Sequence, residues 1–215
     1  MADVKALKLN SGIISQMSSG DTLPVANGGT GATTLTDNGV LIGNGTGAVD
    51  VTAAGATGEV LVGVTGGNPV FGSSFIGASK VVQKTAGETV TSSTTLQNDD
   101  HLTFSIAANE TWKGTIILPI SANPSGGFKF DITAPSGASG SCAMFGGSNY
   151  TSGWVAIGTG FGATAIISNT TMAITFSVAN GSTAGSVQLR WAQNASFGTG
   201  TTIAGGATLT AVRTA

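Results

Sequence analysis

Charge is what this sequence has least of. Lys and Arg number 8 and Asp and Glu 10, only 8% of 215 residues, against about 25% in an average soluble protein. The net charge is −2 and no basic stripe exists, so phosphate-led binding of nucleic acid has no electrostatic footprint. A single cysteine, Cys142, excludes an internal disulfide framework. Mean hydropathy is +0.29, yet the longest strongly apolar runs, 115–120 and 163–167, fall far short of the ~20 residues of a membrane-spanning helix. No membrane insertion is expected. No charged segment followed by an apolar one opens the chain, so synthesis in a cytoplasm without a secretory signal is expected.

The chemistry of catalysis is equally sparse. His101 is the only histidine. It follows Asp99 and Asp100, but neighbours on a strand point to opposite faces and make no relay by themselves. No further ligand cluster accompanies them, so no metal site is expected. Cys142 sits in an apolar strand and reads as a buried, inert thiol. Residues 43–47 (GNGTG) and 158–162 (GTGFG) lack the Gly-Lys-Ser/Thr of a phosphate loop and read as turns. Hydrolysis of glycans needs two placed carboxylates, and only Asp99, Asp100, Glu110 and Asp131 fall in the middle of the chain's larger half. No catalytic residue, cofactor or metal is expected.

What is present is glycine, 34 of 215 residues, with abundant Thr, Ser and Ala. The chain reads in two parts. Residues 1–78 are poor in bulky side chains, and residues 24–72 contain no Lys or Arg. Such a stretch cannot bury enough apolar surface to offset about 1–2 kcal/mol of backbone entropy per residue. It reads as an extended, Gly/Thr-rich docking and intertwining arm whose core must come from another copy or a host surface. Within it, Val40-Leu41-Ile42-Gly43 recurs as Val60-Leu61-Val62-Gly63, one strand–turn unit used twice. Residues 1–20 are expected to be extended as well.

From about residue 79 the texture changes. Leu102, Phe104 and Ile106 alternate with His101, Thr103 and Ser105, and Val187, Leu189 and Trp191 share one face, the period-2 signature of half-buried strands. Pro119 calls for an edge or a bulge late in residues 111–121. Further strands are expected over 127–133, 141–145, 154–157, 164–168, 172–178 and 207–213. Regular short strands without a helical pattern predict an all-β fold: the arm, followed by an antiparallel β-sandwich over 79–215, jelly-roll-like. Trp191 is expected in the core. Tyr150 and Trp154 flank a Ser/Gly loop and are the candidates for ligand or receptor contact, because sugars stack on exposed rings.

Residues 24–49, PVANGGTGATTLTDNGVLIGNGTGAV, resemble segments of tail-fibre and virion-surface proteins of tailed bacteriophages. Residues 95–112, TLQNDDHLTFSIAANETW, with 185–194, GSVQLRWAQN, resemble a β-domain at the C-terminal end of phage structural proteins. The resemblance implies a non-enzymatic homotrimer on the virion surface, a tail fibre or a capsid decoration. Its arm would dock on other virion proteins, capsid or tail, and its knob would face outwards. It would be made in the host bacterial cytoplasm. The alternative is an adhesin whose head binds a host-surface glycan.

Overall fold

The structure is a computed structural model that describes residues 7–10, 13–16, 21–73, 75–146, 154–163 and 169–215. It divides into two units, Met1–Phe75 and Ile76–Ala215.

In the first unit, β1 (Leu7–Asn10) pairs antiparallel with β2 (Ile13–Gln16). This stretch is therefore not a single extended run. It folds back, because strand N–H and C=O groups need partners. A short 3-10 turn at Val25–Asn27 follows, closed by Gly28 at φ +83°, a backbone that only glycine adopts without strain. Then β3 (Leu41–Ile42) pairs with β4 (Asp50–Val51), and β5 (Val60–Val64) with β6 (Gly67–Gly72). The two copies of the repeated tetrapeptide thus each supply the first strand of a hairpin. Backbone bonds and a few polar contacts hold this unit. Val40 N–H donates to Thr52 Oγ1 at 3.0 Å, Thr52 N–H to the Val40 carbonyl at 3.0 Å, and Asn68 Nδ2 to Asp50 Oδ2 at 3.1 Å. Gly55 lies so close to the Phe71 ring that a Cβ there would strike it. Among the described residues of this unit no apolar side chain is buried; Thr52 is the one buried residue.

The second unit holds every buried apolar side chain among the described residues. Its strands are β7 (Ser79–Gln83), β8 (Glu88–Val90), β9 (Gln97–Ile106), β10 (Thr111–Ser121), β11 (Phe128–Thr133), β12 (Ser139–Phe145), β13 (Val155–Ala156), β14 (Phe161–Ala163), β15 (Thr170–Ala179), β16 (Gly185–Ala192), β17 (Thr201–Ile203) and β18 (Thr208–Arg213). They form two antiparallel sheets. The larger runs β13-β12-β15-β10, then the interrupted strand β18/β17, then the interrupted strand β7/β8. The smaller runs β14-β11-β16-β9. Without the β12–β13 hairpin, each sheet has four strands. Their order, β7/β8–β17/β18–β10–β15 facing β9–β16–β11–β14, is the jelly roll. The chain is all-β, as its periodicity predicts. Residues 164–168, expected as a strand, lie outside the described residues.

The core lies between the sheets. Phe104 of β9 meets Trp112 of β10 edge-on with centroids 5.4 Å apart, and Phe176 of β15 at 6.3 Å. Gly114 keeps room for Phe176, since a Cβ there would press into that ring. Trp191 is fully buried, as its alternation predicts. Pro119 sits in a central strand, at neither an edge nor a bulge; instead the neighbouring strand is broken beside it, between β17 and β18. The Pro119 carbonyl accepts Ala204 N–H at 2.9 Å, so its ring nitrogen points the same way, into that break.

Candidate functional site

The two outer faces of the sandwich differ in kind. On the smaller sheet the outward positions are polar: Thr103 and Ser105 on β9, Gln188 and Arg190 on β16, Lys129, Asp131 and Thr133 on β11. Arg190 and Asp131 face each other across the strands, with Nη2 2.6 Å from Oδ2. Oδ1 of the same carboxylate accepts Gly158 N–H at 2.7 Å, so Asp131 pins the turn at 157–158; of the glycine-rich 158–162 segment expected as a turn, residues 161–162 instead belong to strand β14.

On the larger sheet the outward positions are small or apolar. The register aligns Thr210, Thr115 and Thr175 in one row across β18, β10 and β15, and Val212, Lys113, Ser177 and Ser141 in the next. Val81, Ile117, Phe145 and Val212 stand exposed on this face. Lys113 is its only charged outward residue among those described. A groove of about 600 Å³ opens here, floored by Thr115, Thr175 and Ser177, with Trp154 on its wall. The Thr175 hydroxyl is covered and has no hydrogen-bond partner. Trp154, one of the two candidate contact residues, is 65% exposed and lines this groove. Tyr150, the other candidate, lies outside the described residues.

Three carboxylates that the sequence did not pair are buried, Glu110 and Asp99 toward the core and Asp131 on the covered outer face of the smaller sheet. Glu110 accepts Trp112 Nε1–H at 3.0 Å and Ala107 N–H at 2.8 Å, with Arg213 Nη1 at 3.4 Å. Asp131 serves Arg190. Asp99 forms the densest cluster. Its Oδ1 accepts the backbone N–H of His101 and Leu102 at 3.0 and 2.8 Å. Its Oδ2 accepts Trp191 Nε1–H at 3.2 Å and lies 3.0 Å from Lys84 Nζ. Glu88 Oε2 lies 2.8 Å from the same Nζ, and its Oε1 accepts Gln97 Nε2–H at 2.8 Å.

Two irregularities build this cluster. β9 bulges between Asn98 and Thr103, which pair with Arg190 and Gln188, and the bulge turns Asp99 inward. The gap between β7 and β8 places Lys84 beside it, the backbone held by Lys84 N–H to the Ala207 carbonyl and Gly206 N–H to the Lys84 carbonyl, both 2.7 Å. Burial pulls the Lys84 pKa down. The hydrogen bonds and charges of Glu88 and Asp99 outweigh it and hold the pKa above its ordinary value.

Asp99, Asp100 and His101 do not converge. Asp99 is buried, Asp100 exposed, and His101 Nε2 lies 3.0 Å from Thr85 Oγ1. No cluster able to hold a metal occurs among the described residues. Cys142 is buried and free. Burial pushes its thiol up to about 11, the Asp131 charge adding and a hydrogen bond from the Ile132 backbone opposing. Lys84 and Glu88 were not singled out by sequence. The available signal was phase: Lys84 alternates with Val82, which faces the sandwich.

No family model and no curated protein matches the chain. Among solved structures it is similar to a chain from the infectious bursal disease virus Gx strain, at 12% identity over 71% of this chain and 44% of that one, with a TM-score of 0.16. The chain thus spans under half of that protein's length, and a likeness this slight carries no argument about fold or function.

Proposed function

We propose that this protein is a non-enzymatic structural component of a tailed-phage virion, a homotrimeric surface fibre or capsid decoration. Its N-terminal unit docks on other virion proteins, and its jelly roll is the part presented to the exterior. One observation carries the reading: a unit of some seventy residues that buries no apolar side chain among those described. Leu23, Leu35, Leu41, Val60, Leu61 and Val70 all stand exposed there. Hairpins of two strands are marginal alone in water, so these residues gain their stability from a neighbouring surface. The resemblance of residues 24–49 to virion-surface segments names that surface, and jelly rolls recur in capsid domains.

Sedimentation of the full chain tests it. A trimer is expected, with residues 1–75 resistant to protease on particles and sensitive when free. A stable monomer whose N-terminal unit is equally sensitive in both settings overturns the proposal.

A second reading rests on Trp154. An exposed indole beside a floor of hydroxyls suits a sugar, whose apolar face stacks on rings. The jelly roll would then be the head of a glycan-binding adhesin. Loss of host-glycan binding in Trp154→Ala with an unchanged melting temperature is the expected result; an unchanged glycan-array profile in that variant removes the reading.

A further inference from the structure

We propose that Lys84 and Asp99 condense into an intramolecular isopeptide bond, with Glu88 relaying the protons. The three groups stand in the arrangement the reaction needs. The amine nitrogen is 3.0 Å from Oδ2 of the carboxyl group it attacks, and both side chains have no exposed surface. Glu88 Oε2 is 2.8 Å from the same nitrogen, within reach for a general base. Oδ1 accepts two backbone N–H groups, from His101 and Leu102. These donors are fixed before any reaction, and they hold the oxygen that becomes negative when the carbonyl carbon turns tetrahedral, the geometry of an oxyanion hole. Trp191 Nε1–H donates to Oδ2, the oxygen that departs.

The step balances without any other reactant. Lys84 begins as an ammonium with three protons and Asp99 as a carboxylate. Glu88 takes a proton from Nζ, freeing the nitrogen lone pair, which forms the C–N bond at Cγ. The C–Oδ2 bond breaks, and Oδ2 leaves with two protons, each passed on from Nζ, as water. The amide keeps one proton, and Glu88 ends as the carboxylate it began. The two charges cancel in the product, and the carboxyl carbon keeps its oxidation state on becoming an amide, so no oxidant or reductant is needed.

Two features favour this over a lasting ion pair. One ammonium with two carboxylates leaves an excess negative charge around Lys84 and Asp99, whose side chains have no exposed surface, and desolvated ions are costly even when paired. Condensation removes one ion of each sign. Oriented groups in a fixed site also react as though at an effective concentration of about 10⁵–10⁸ M. The partly exposed side of Glu88, at 16%, is the water's way out. The bond would join the β7/β8 edge of the larger sheet to the start of β9 in the smaller one, a covalent tie across the sandwich.

The test is the mass of the purified full chain under denaturing conditions. The expected mass is that of the sequence less one water. Trypsin is then expected to cut after Lys80 and Lys113 but not after Lys84, yielding residues 81–113 as one piece that lacks one water and resists fragmentation between Lys84 and Asp99. Glu88→Gln and Asp99→Ala are expected to restore the full mass and cleavage after Lys84. A wild-type chain of full mass, cut after Lys84, overturns the proposal, as does a water loss mapped to other residues. Water loss persisting in Glu88→Gln overturns the relay role of Glu88.

Discussion

The buried carboxylates concentrate the risk of single substitutions. Glu110 satisfies the indole of Trp112 and the Ala107 N–H, and Arg213 lies beside it. Glu110→Ala strands these donors where water does not reach. A loss of about 3 kcal/mol in unfolding free energy is expected, read from urea titration against wild type. Cys142 gives a pH-dependent effect. Its thiol is held neutral in the fold up to about 11, while in the unfolded chain it ionises near 8.5. Between those values the native state retains a proton that the unfolded state has lost. The thiol's contribution to stability is therefore full below about 8.5 and falls as pH rises toward 11, by about 3 kcal/mol in total. Urea titrations of wild type and Cys142→Ala at pH 8 and pH 10.5 check this: the fall is expected to be steeper in wild type.

Residue-level legibility followed phase. Trp191 was readable as core because it alternates with Val187 and Leu189. Asp99 was not. Strict alternation along β9 assigns it to the outward face with Thr103 and Ser105, and only the bulge turns it inward. No local sequence cue marks that bulge, since the residues that enforce it, Lys84 and Trp191, lie far off in the chain. Trp154 was readable as exposed from its loop, while the groove beside it depends on strands brought together from across the chain.

At the level of elements, the strands were mostly legible and their pairing was not. β9, β10, β11, β15 and β16 all carry period-2 patterns. That β10 would sit between β15 and β18 depends on long-range closure, which periodicity does not encode. Glycines in strands mark where close approach matters. A Cβ at Gly114 meets the Phe176 ring and the Thr210 carbonyl, so Gly114→Ala is expected to cost about 1–3 kcal/mol by overpacking. A thermal melt of the variant measures it. Gly43, with open space around its Cβ position, serves as control, and Gly43→Ala is expected to leave the melt unchanged. The repeated Val-Leu-Ile/Val-Gly tetrapeptide read correctly as strand followed by turn, because the turn chemistry follows it directly in sequence.

For the whole molecule, the contrast between the units sets the expectation. Residues 76–215 own the buried apolar side chains, and their length suffices for an independent core. Expressed alone they are expected to melt cooperatively, close to the full chain's transition. Residues 1–75 alone are expected to show a circular dichroism spectrum without a cooperative transition. Loss of the cooperative melt in 76–215 would make the two units one folding body. The edge of the larger sheet carries one more consequence. Its outer strand is split at Lys84 into pieces of five and three residues, β7 and β8. Neither piece is long enough to template a stranger's strand along its free amides. This edge of the larger sheet is thereby protected from pairing with a second copy and seeding fibrillar aggregates.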